Sequence, residues 1–326
     1  METVYGENRL LLTCRRREDG MEILRVRTSD PAVSLPETLL GLPVTVLGAH
    51  AFSPDFPEPE DGERILVSPG FFDETEESDN QKIRSITLPK TLRKMGDYAF
   101  FGCTGLRELH FFDTIVYWGA CLFMNAPSLQ RFFLCLQDST IRTLFHLADE
   151  FSREMDVSLL YPDGGEARLI FPEYWESYEE NVPAKHFDYH ISGGGYPYRN
   201  CFRERALMLS DYDALFPALM AMEHEELSTR KLAFYRLRWP RDLSSAAADR
   251  YREYLREQPA ETLRWLVGER DIPGLKLFLS FGAPSAADLS EACELARRQG
   301  ATETVALLLE ETHRKFPAGA DKTYDL

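Results

Sequence analysis

The sequence lacks any long apolar run. Its 326 residues contain no stretch near the length of about 18 apolar residues that a membrane-spanning helix requires. The first residues also lack the apolar core of a secretory signal, because Glu2, Glu7 and Arg9 interrupt them. These absences predict a chain without a membrane span, and we expect it to lie in the cytoplasm.

Cysteine is sparse and shows no pairing pattern. None of the six cysteines belongs to a C-x-x-C pair, and their spacing lacks the density of a disulfide framework. We therefore expect most of them to be reduced and buried as small hydrophobic residues, and the sequence predicts no metal or other cofactor. The six are Cys14, Cys103, Cys121, Cys135, Cys201 and Cys293.

Basic residues are outnumbered. Lys and Arg total 37 against 53 Asp and Glu, which gives a formal net charge of −16. Binding to a phosphate backbone needs a concentrated basic surface, so this composition argues against a nucleic acid or an anionic membrane as the partner. The composition leaves the oligomeric state open, and the prediction that the partner is another protein comes from the repeats described below.

A repeat with a constant interval organises the segment from Ile83 to Leu129. Its 23-residue period falls within the range of about 20–29 residues that is typical of leucine-rich repeats. The positions that keep the spacing are Ile83, Leu106 and Leu129; Ile86, Leu109 and Phe132; Gly96 and Gly119; and Phe100 and Phe123.

Each repeat has the pattern of a short strand followed by a turn. Apolar residues at its first, fourth and sixth positions point into a core, and the fifth position faces away from that core. Pro89 closes the strand of one copy, and Gly96 permits close backbone packing. One such coil has no core of its own, so the pattern predicts a solenoid of stacked coils with a ladder of strands along one side.

The repeat resembles the BspA-type leucine-rich repeats of bacterial proteins. Residues 86–89 read Ile-Thr-Leu-Pro, and residues 95–106 read Met-Gly-Asp-Tyr-Ala-Phe-Phe-Gly-Cys-Thr-Gly-Leu. The next copy departs from this pattern between Trp118 and Phe123. The resemblance extends from the start of the chain to about Cys135. It implies a protein-binding or structural role, because the family has no shared catalytic centre.

The predicted fold class is α+β, with a leucine-rich repeat solenoid, an α/β connector and an ankyrin-like helical module. The solenoid takes residues 1–135, with an acidic insertion at 53–82 around Glu74, Glu76, Glu77 and Asp79. The connector and cap take 136–225, where 173–180 reads as a short helix. The helical module takes 226–317, and 318–326 is expected to be a disordered tail.

A second, 30-residue period appears near the C-terminal end. Leu275, Leu277, Phe278 and Leu279 correspond to Val305, Leu307, Leu308 and Leu309. The run 275–283, Leu-Lys-Leu-Phe-Leu-Ser-Phe-Gly-Ala, resembles the second helix and turn of an ankyrin repeat. The Thr-Pro-Leu-His opening of that family is absent. The resemblance is confined to about 60 residues, or two units, which cannot bury a core alone.

The connector carries the alternative hypothesis, an enzyme or a small-ligand site. His186 and His190 are four residues apart, a spacing that could present both imidazoles to a metal on a helix. The preceding Pro183 and the following glycines favour a strand instead. Cys201 would need a nearby base to act as a nucleophile. No catalytic, metal or cofactor-binding residue is predicted here, and the more plausible interpretation is a protein that is not an enzyme.

The strand ladder supplies the predicted binding surface. The positions that face away from the core in three successive coils do not follow the apolar pattern of their neighbours. Packing in the core therefore does not determine which residues they hold. Arginine and exposed aromatic residues are favoured at interface centres. The alternative is that a helix or loop of the same chain covers this face. The predicted residues are Ser85, Thr87, Glu108, His110, Arg131 and Phe133.

Overall fold

The computed structural model describes residues 2–70, 78–138, 140–181 and 186–317. The chain divides into two compact units, Met1–Ser228 and Thr229–Leu326. The first mixes strands with short helices, and the second is helical in its described part. Glu74, Glu76 and Glu77 of the predicted insertion lie outside the described residues, as does the predicted tail at 318–326.

The elements of the first unit follow one another in mixed order. Its strands are β1 (Glu2–Tyr5), β2 (Leu10–Arg17), β3 (Gly20–Arg27), β4 (Ala32–Ser34), β5 (Thr38–Leu39), β6 (Leu42–Leu47), β7 (Glu63–Ser68), β8 (Ser85–Thr87), β9 (Lys94–Met95), β10 (Glu108–Phe112), β11 (Tyr117–Trp118), β12 (Arg131–Cys135), β13 (Met155–Leu160), β14 (Glu166–Phe171), β15 (Trp175–Asn181), β16 (His186–Ser192), β17 (Phe202–Arg203) and β18 (Ala206–Leu207). Its helices are α1 (Thr143–Glu150), α2 (Gly195–Arg199), α3 (Leu209–Ala214) and α4 (Phe216–Met220).

A six-stranded sheet carries the repeat. Its order is β14-β13-β12-β10-β8-β4, and every neighbouring pair is parallel except β13 with β14. Ile86, Leu109 and Phe132 are in register, as their 23-residue spacing predicts. Val157 of β13 continues the row beside Phe132, although it follows at a longer interval than the period. The predicted boundary at residue 135 therefore falls between two paired strands.

A second sheet contains the other edge of each repeat. Strands β6, β9 and β11 pair in parallel, and β6 also pairs with β3, which forms an antiparallel hairpin with β2. Strand β7 pairs with β2, so part of the predicted insertion is built into this sheet. Its apolar residues Ile65, Leu66 and Val67 are buried, because they fill positions beside the hairpin.

The turns that join the two sheets repeat one backbone conformation. His50, Tyr98 and Cys121 occupy equivalent positions and all have positive φ, between 53° and 57°. The amide of Tyr98 donates to the Ala120 carbonyl (3.0 Å), and the amide of Phe100 donates to the Leu122 carbonyl (3.1 Å). These bonds satisfy the backbone groups of each turn with the turn of the next coil.

The connector contains a hairpin where the sequence predicts a helix. The predicted helix at 173–180 is wrong, because residues Trp175–Asn181 form β15, which pairs antiparallel with β16. Aromatic residues such as Trp175 and Tyr178 favour a strand once a partner strand is present. That partner begins five residues after β15 ends, outside the window that local helical spacing considers.

The second unit contains paired helices. The helices from the unit boundary onward are α5 (Glu226–Arg238), α6 (Ser245–Glu257), α7 (Pro259–Gly268), α8 (Ile272–Phe281), α9 (Ala286–Arg298) and α10 (Thr302–Lys315). Asp271 caps α8 through the amide of Gly274 (3.0 Å), and Ser285 caps α9 through the amide of Asp288 (3.2 Å). No helix in the described part of the chain combines the length and apolarity needed to cross a membrane. The ankyrin-like character of this unit stays a prediction.

Candidate functional site

The six predicted surface residues lie together on the six-stranded sheet. Ser85, Glu108 and Arg131 are adjacent in one cross-strand row, and Thr87, His110 and Phe133 form the next row. Adjacent strands are about 4.8 Å apart, so the two rows make one continuous patch. We call this patch the strand face, and it comprises Ser85, Thr87, Glu108, His110, Arg131 and Phe133.

Charged and aromatic side chains are paired across the strand face. The Arg131 guanidinium forms an ion pair with the Glu108 carboxylate. The Nε2 atom of His110 is 3.6 Å from Glu108 Oε2. The rings of His110 and Phe133 stack, with centroids 4.2 Å apart and an angle of 7° between their planes. These contacts hold the side chains in a defined arrangement while Arg131 stays exposed.

Strands β13 and β14 extend the surface beyond the residues that the sequence predicts. Asp156 lies beside Arg131, and Ser158 lies beside Phe133. Arg168 of β14 is opposite Ser158, and its Nε donates to Asp156 Oδ1 (2.7 Å). The sequence does not predict the parallel pairing of β13 with β12, because the 23-residue period ends before β13.

An apolar row lies beside the charged pairs. Phe112, Cys135 and Leu160 are in register across β10, β12 and β13. Leu160 is 44% exposed, and the other two are half-buried. Apolar residues next to Phe133, with ion pairs on one side of them, resemble the apolar centre and part of the polar rim of a protein interface. The 23-residue offset between Phe112 and Cys135 is the signal that could have found this row.

Side chains occupy hydrogen-bonding groups at both edges of the six-stranded sheet. At the β4 edge, the Asn8 amide donates to the Ala32 carbonyl (2.6 Å) and accepts from the Ser34 amide (2.7 Å). At the β14 edge, the Tyr212 hydroxyl accepts from the Ile170 amide (3.0 Å) and donates to the Ile170 carbonyl (2.6 Å). These bonds hinder the addition of a further strand, which leaves the face as the more accessible part of the sheet.

Cys201, the nucleophile candidate of the alternative site in the connector, is not activated. His186 and His190 belong to β16, which agrees with the strand interpretation. Cys201 is buried, with its Sγ atom 3.7 Å from the Pro197 carbonyl oxygen, and burial raises its pKa to about 12. Such a thiol is protonated at neutral pH. Within the described residues, no group of three or more His, Cys, Asp or Glu side chains is placed to hold a metal ion.

Arg199 is a buried cation that the sequence analysis missed. Its guanidinium donates to backbone carbonyls from three separate segments, and burial lowers its pKa to about 10. No local sequence motif predicts this role, because the acceptors are 4 to 48 residues away along the chain. Arg199 holds the connector together. The accepting carbonyls belong to Phe151, Ser152, Arg153, Pro172 and Gly195.

Comparison with protein families supports the repeat prediction. Residues 77–146 match the family described as "BspA type Leucine rich repeat region (6 copies)". The chain therefore contains a BspA-type leucine-rich repeat region, which takes 70 of its 326 residues (146 − 77 + 1). No curated protein matches the chain significantly.

Two solved structures of leucine-rich proteins are similar to part of the chain. One is a leucine rich cell surface protein from Faecalibacterium prausnitzii A2-165. It has 14% sequence identity and a TM-score of 0.28, and the similarity covers 49% of this chain and 42% of that chain. Another is a T. pallidum leucine rich repeat protein. It has 18% identity and a TM-score of 0.18, with 38% of this chain and 68% of that chain covered. This chain thus spans less than half the length of the Faecalibacterium protein.

Proposed function

We propose that this chain is a non-catalytic interaction protein that binds another protein through the strand face. The observation that carries the proposal is the stacked pair of His110 and Phe133 beside the Arg131–Glu108 ion pair. Aromatic and arginine side chains supply most of the binding energy in many interfaces. Here their own contacts hold them in place before a partner arrives, which lowers the entropic cost of binding.

The bonded edges of the sheet favour recognition by side chains rather than by strand addition. A partner strand would have to displace Asn8 or Tyr212 from the groups that they bond. The strand face needs no such rearrangement. A partner with an apolar centre and charges opposite to those of Arg131 and Asp156 would fit it.

The proposal includes a scaffold role for the whole chain. The leucine-rich repeat region would form a solenoid that presents the strand face, and the helical unit would act as an ankyrin-like module with a second binding surface. The support for the ankyrin-like module is the 30-residue period, which relates Trp265 of α7 to Leu295 of α9 in the sequence. Unpaired, mostly buried cysteines fit a reducing cytoplasm.

The test is affinity capture from the native cell with the unmodified chain and with an Arg131→Glu, Phe133→Ala variant. The variant reverses one charge and removes one ring, so the captured partners should be lost while circular dichroism stays unchanged. A matched control is Arg298→Glu with Leu309→Ala, which makes the same kinds of change on exposed positions of the helical unit and should leave the partners of the strand face bound. Survival of all captured partners in the first variant would refute the strand face as the binding surface.

A further inference from the structure

The hairpin of β15 and β16 presents a second surface of a different kind. In its antiparallel register, Glu176 is opposite Ile191 and Tyr178 is opposite Tyr189. Opposite residues share one face of a sheet, and so do residues two apart on one strand. The four side chains therefore form one group, which we call the hairpin face.

The aromatic residues of the hairpin face are open to solvent. Tyr178 is 69% exposed, Tyr189 is 47% exposed and Ile191 is 37% exposed. The two tyrosine rings lie 5.1 Å apart with 42° between their planes, so they form a continuous aromatic surface. Contiguous exposed apolar surface of this kind commonly marks an interaction site.

Glu176 adds a negative charge to these rings. The Tyr189 hydroxyl donates a hydrogen bond to the Glu176 carboxylate, and this bond raises the pKa of Tyr189 to about 12. The hydrogen bond from the neutral hydroxyl keeps the carboxylate next to the rings. Within the described residues, no Lys, Arg or His lies within ion-pair distance of Glu176.

The surrounding sequence has the same sign of charge. Residues 175–192 contain Glu176, Glu179, Glu180 and Asp188 against a single Lys185. Aromatic faces carry negative electrostatic potential and attract cations within about 6 Å of the ring centre. Carboxylates and tyrosine rings together are thus suited to an ammonium or guanidinium group. A second copy of this chain is disfavoured, because two acidic hairpins would repel each other.

We propose that the hairpin face binds an arginine- or lysine-bearing segment of a partner protein, with the cation over Tyr178 and Tyr189 and paired with Glu176. Ile191 provides apolar contact for the aliphatic stem of the same side chain. This surface is independent of the strand face and selects by charge rather than by shape.

The test uses fluorescence anisotropy with the full chain and a fluorescein-labelled peptide of four Arg-Leu repeats. Two control peptides replace each Arg with citrulline, which is neutral, or with Glu. The Arg peptide should bind, and both controls should not. Tyr178→Ile combined with Tyr189→Ile introduces β-branched residues, which favour strands, but removes both rings, and it should weaken binding about tenfold. Tyr178→Phe keeps the ring and should bind within about twofold of the unmodified chain.

Charge controls separate this site from general attraction to an acidic protein. Glu176→Gln and Glu253→Gln each remove one negative charge, but Glu253 is an exposed residue of α6 in the other unit. Only Glu176→Gln should weaken binding of the Arg peptide. Equal effects of the two changes, unaltered binding after the double Ile change, or no binding of the Arg peptide would each overturn the proposal. The Arg131→Glu, Phe133→Ala variant should still bind the peptide, which distinguishes the two surfaces.

Discussion

The rings of Phe100 and Phe123 stack with their centroids 5.6 Å apart, although one full period of the repeat separates them along the chain. Phe52 continues the column on the other side of Phe100 at 5.4 Å. All three side chains are buried. The column shows that successive repeats place the same residue at the same position of a shared core, which is how a coil without its own core is stabilised.

Replacing a phenylalanine of this column with alanine should destabilise the protein. We expect Phe100→Ala to lower the free energy of unfolding by about 3–5 kcal/mol, because it removes a buried ring and leaves a cavity. Phe123→Ala should behave similarly. Phe101→Ala is the matched control, since Phe101 is only half-buried. Denaturant melts measure all three, and a loss below about 1 kcal/mol for Phe100→Ala would reject the shared core.

Gly119 should not tolerate a side chain. A Cβ atom there would lie 2.5 Å from the backbone nitrogen of Asp97 in the preceding coil, so the coils would have to move apart. We expect Gly119→Ala to destabilise by about 1–3 kcal/mol in thermal or denaturant melts. Gly268→Ala is the control, because no atom lies within 4 Å of its added Cβ. That change should be neutral or slightly stabilising.

The polar side chains at the sheet edges should limit self-association. Tyr212→Phe removes the hydroxyl from the Ile170 backbone groups and should lower the free energy of unfolding by about 1–3 kcal/mol. Combining it with Asn8→Ala exposes backbone groups at both edges, and sedimentation velocity should then detect concentration-dependent association. Tyr178→Phe, at an exposed hydroxyl, should change neither measurement. A double variant that sediments like the unmodified chain at all concentrations would contradict this role.

We expect that no other cationic side chain can replace Arg199 without a loss of stability. Arg199→Lys keeps a positive charge but exchanges a planar fork for a single ammonium group with three donors. Several of the buried carbonyls would lose their donor, and we expect a loss of about 3 kcal/mol in stability. Arg203→Lys is the control. Its partner Asp211 is an exposed ion-pair acceptor, so the change should cost less than about 1 kcal/mol.

The helical unit should lose stability in acid through Glu311. Hydrogen bonding from Arg314 lowers the pKa of this carboxyl, with Lys315 adding to the effect and burial opposing it. A pKa that is lower in the folded state contributes stability above the unfolded pKa, and this contribution is lost as the pH falls through the folded value. Glu311→Gln should therefore cost about 1 kcal/mol at pH 7 and almost nothing in acid.

The control for this pH effect is the neighbouring Glu310, which is exposed. Urea melts of Glu310→Gln should follow the pH dependence of the unmodified chain. A Glu311→Gln variant with the full acid loss of the unmodified chain would show that other groups govern the effect.

The central part of the strand face follows from the sequence. A constant interval places Ser85, Glu108 and Arg131 at equivalent positions, and strand alternation decides which side they face. Both are local properties of the chain, so a period and an alternation are sufficient to predict the rows that the registers confirm. The buried partners Phe100 and Phe123 follow from the same reasoning.

The limits of the surface depend on contacts between residues that no period relates. Asn8 reaches β4 across 24 residues, and Arg199 reaches Phe151 across 48. Strand β13 joins the ladder after the period has ended, and β15 becomes a strand because β16 pairs with it. The sequence determined the repeat and its register, because each coil carries its own pattern. Only the tertiary structure decided where the ladder ends and what completes it, because those hydrogen bonds join segments whose local sequences do not specify one another.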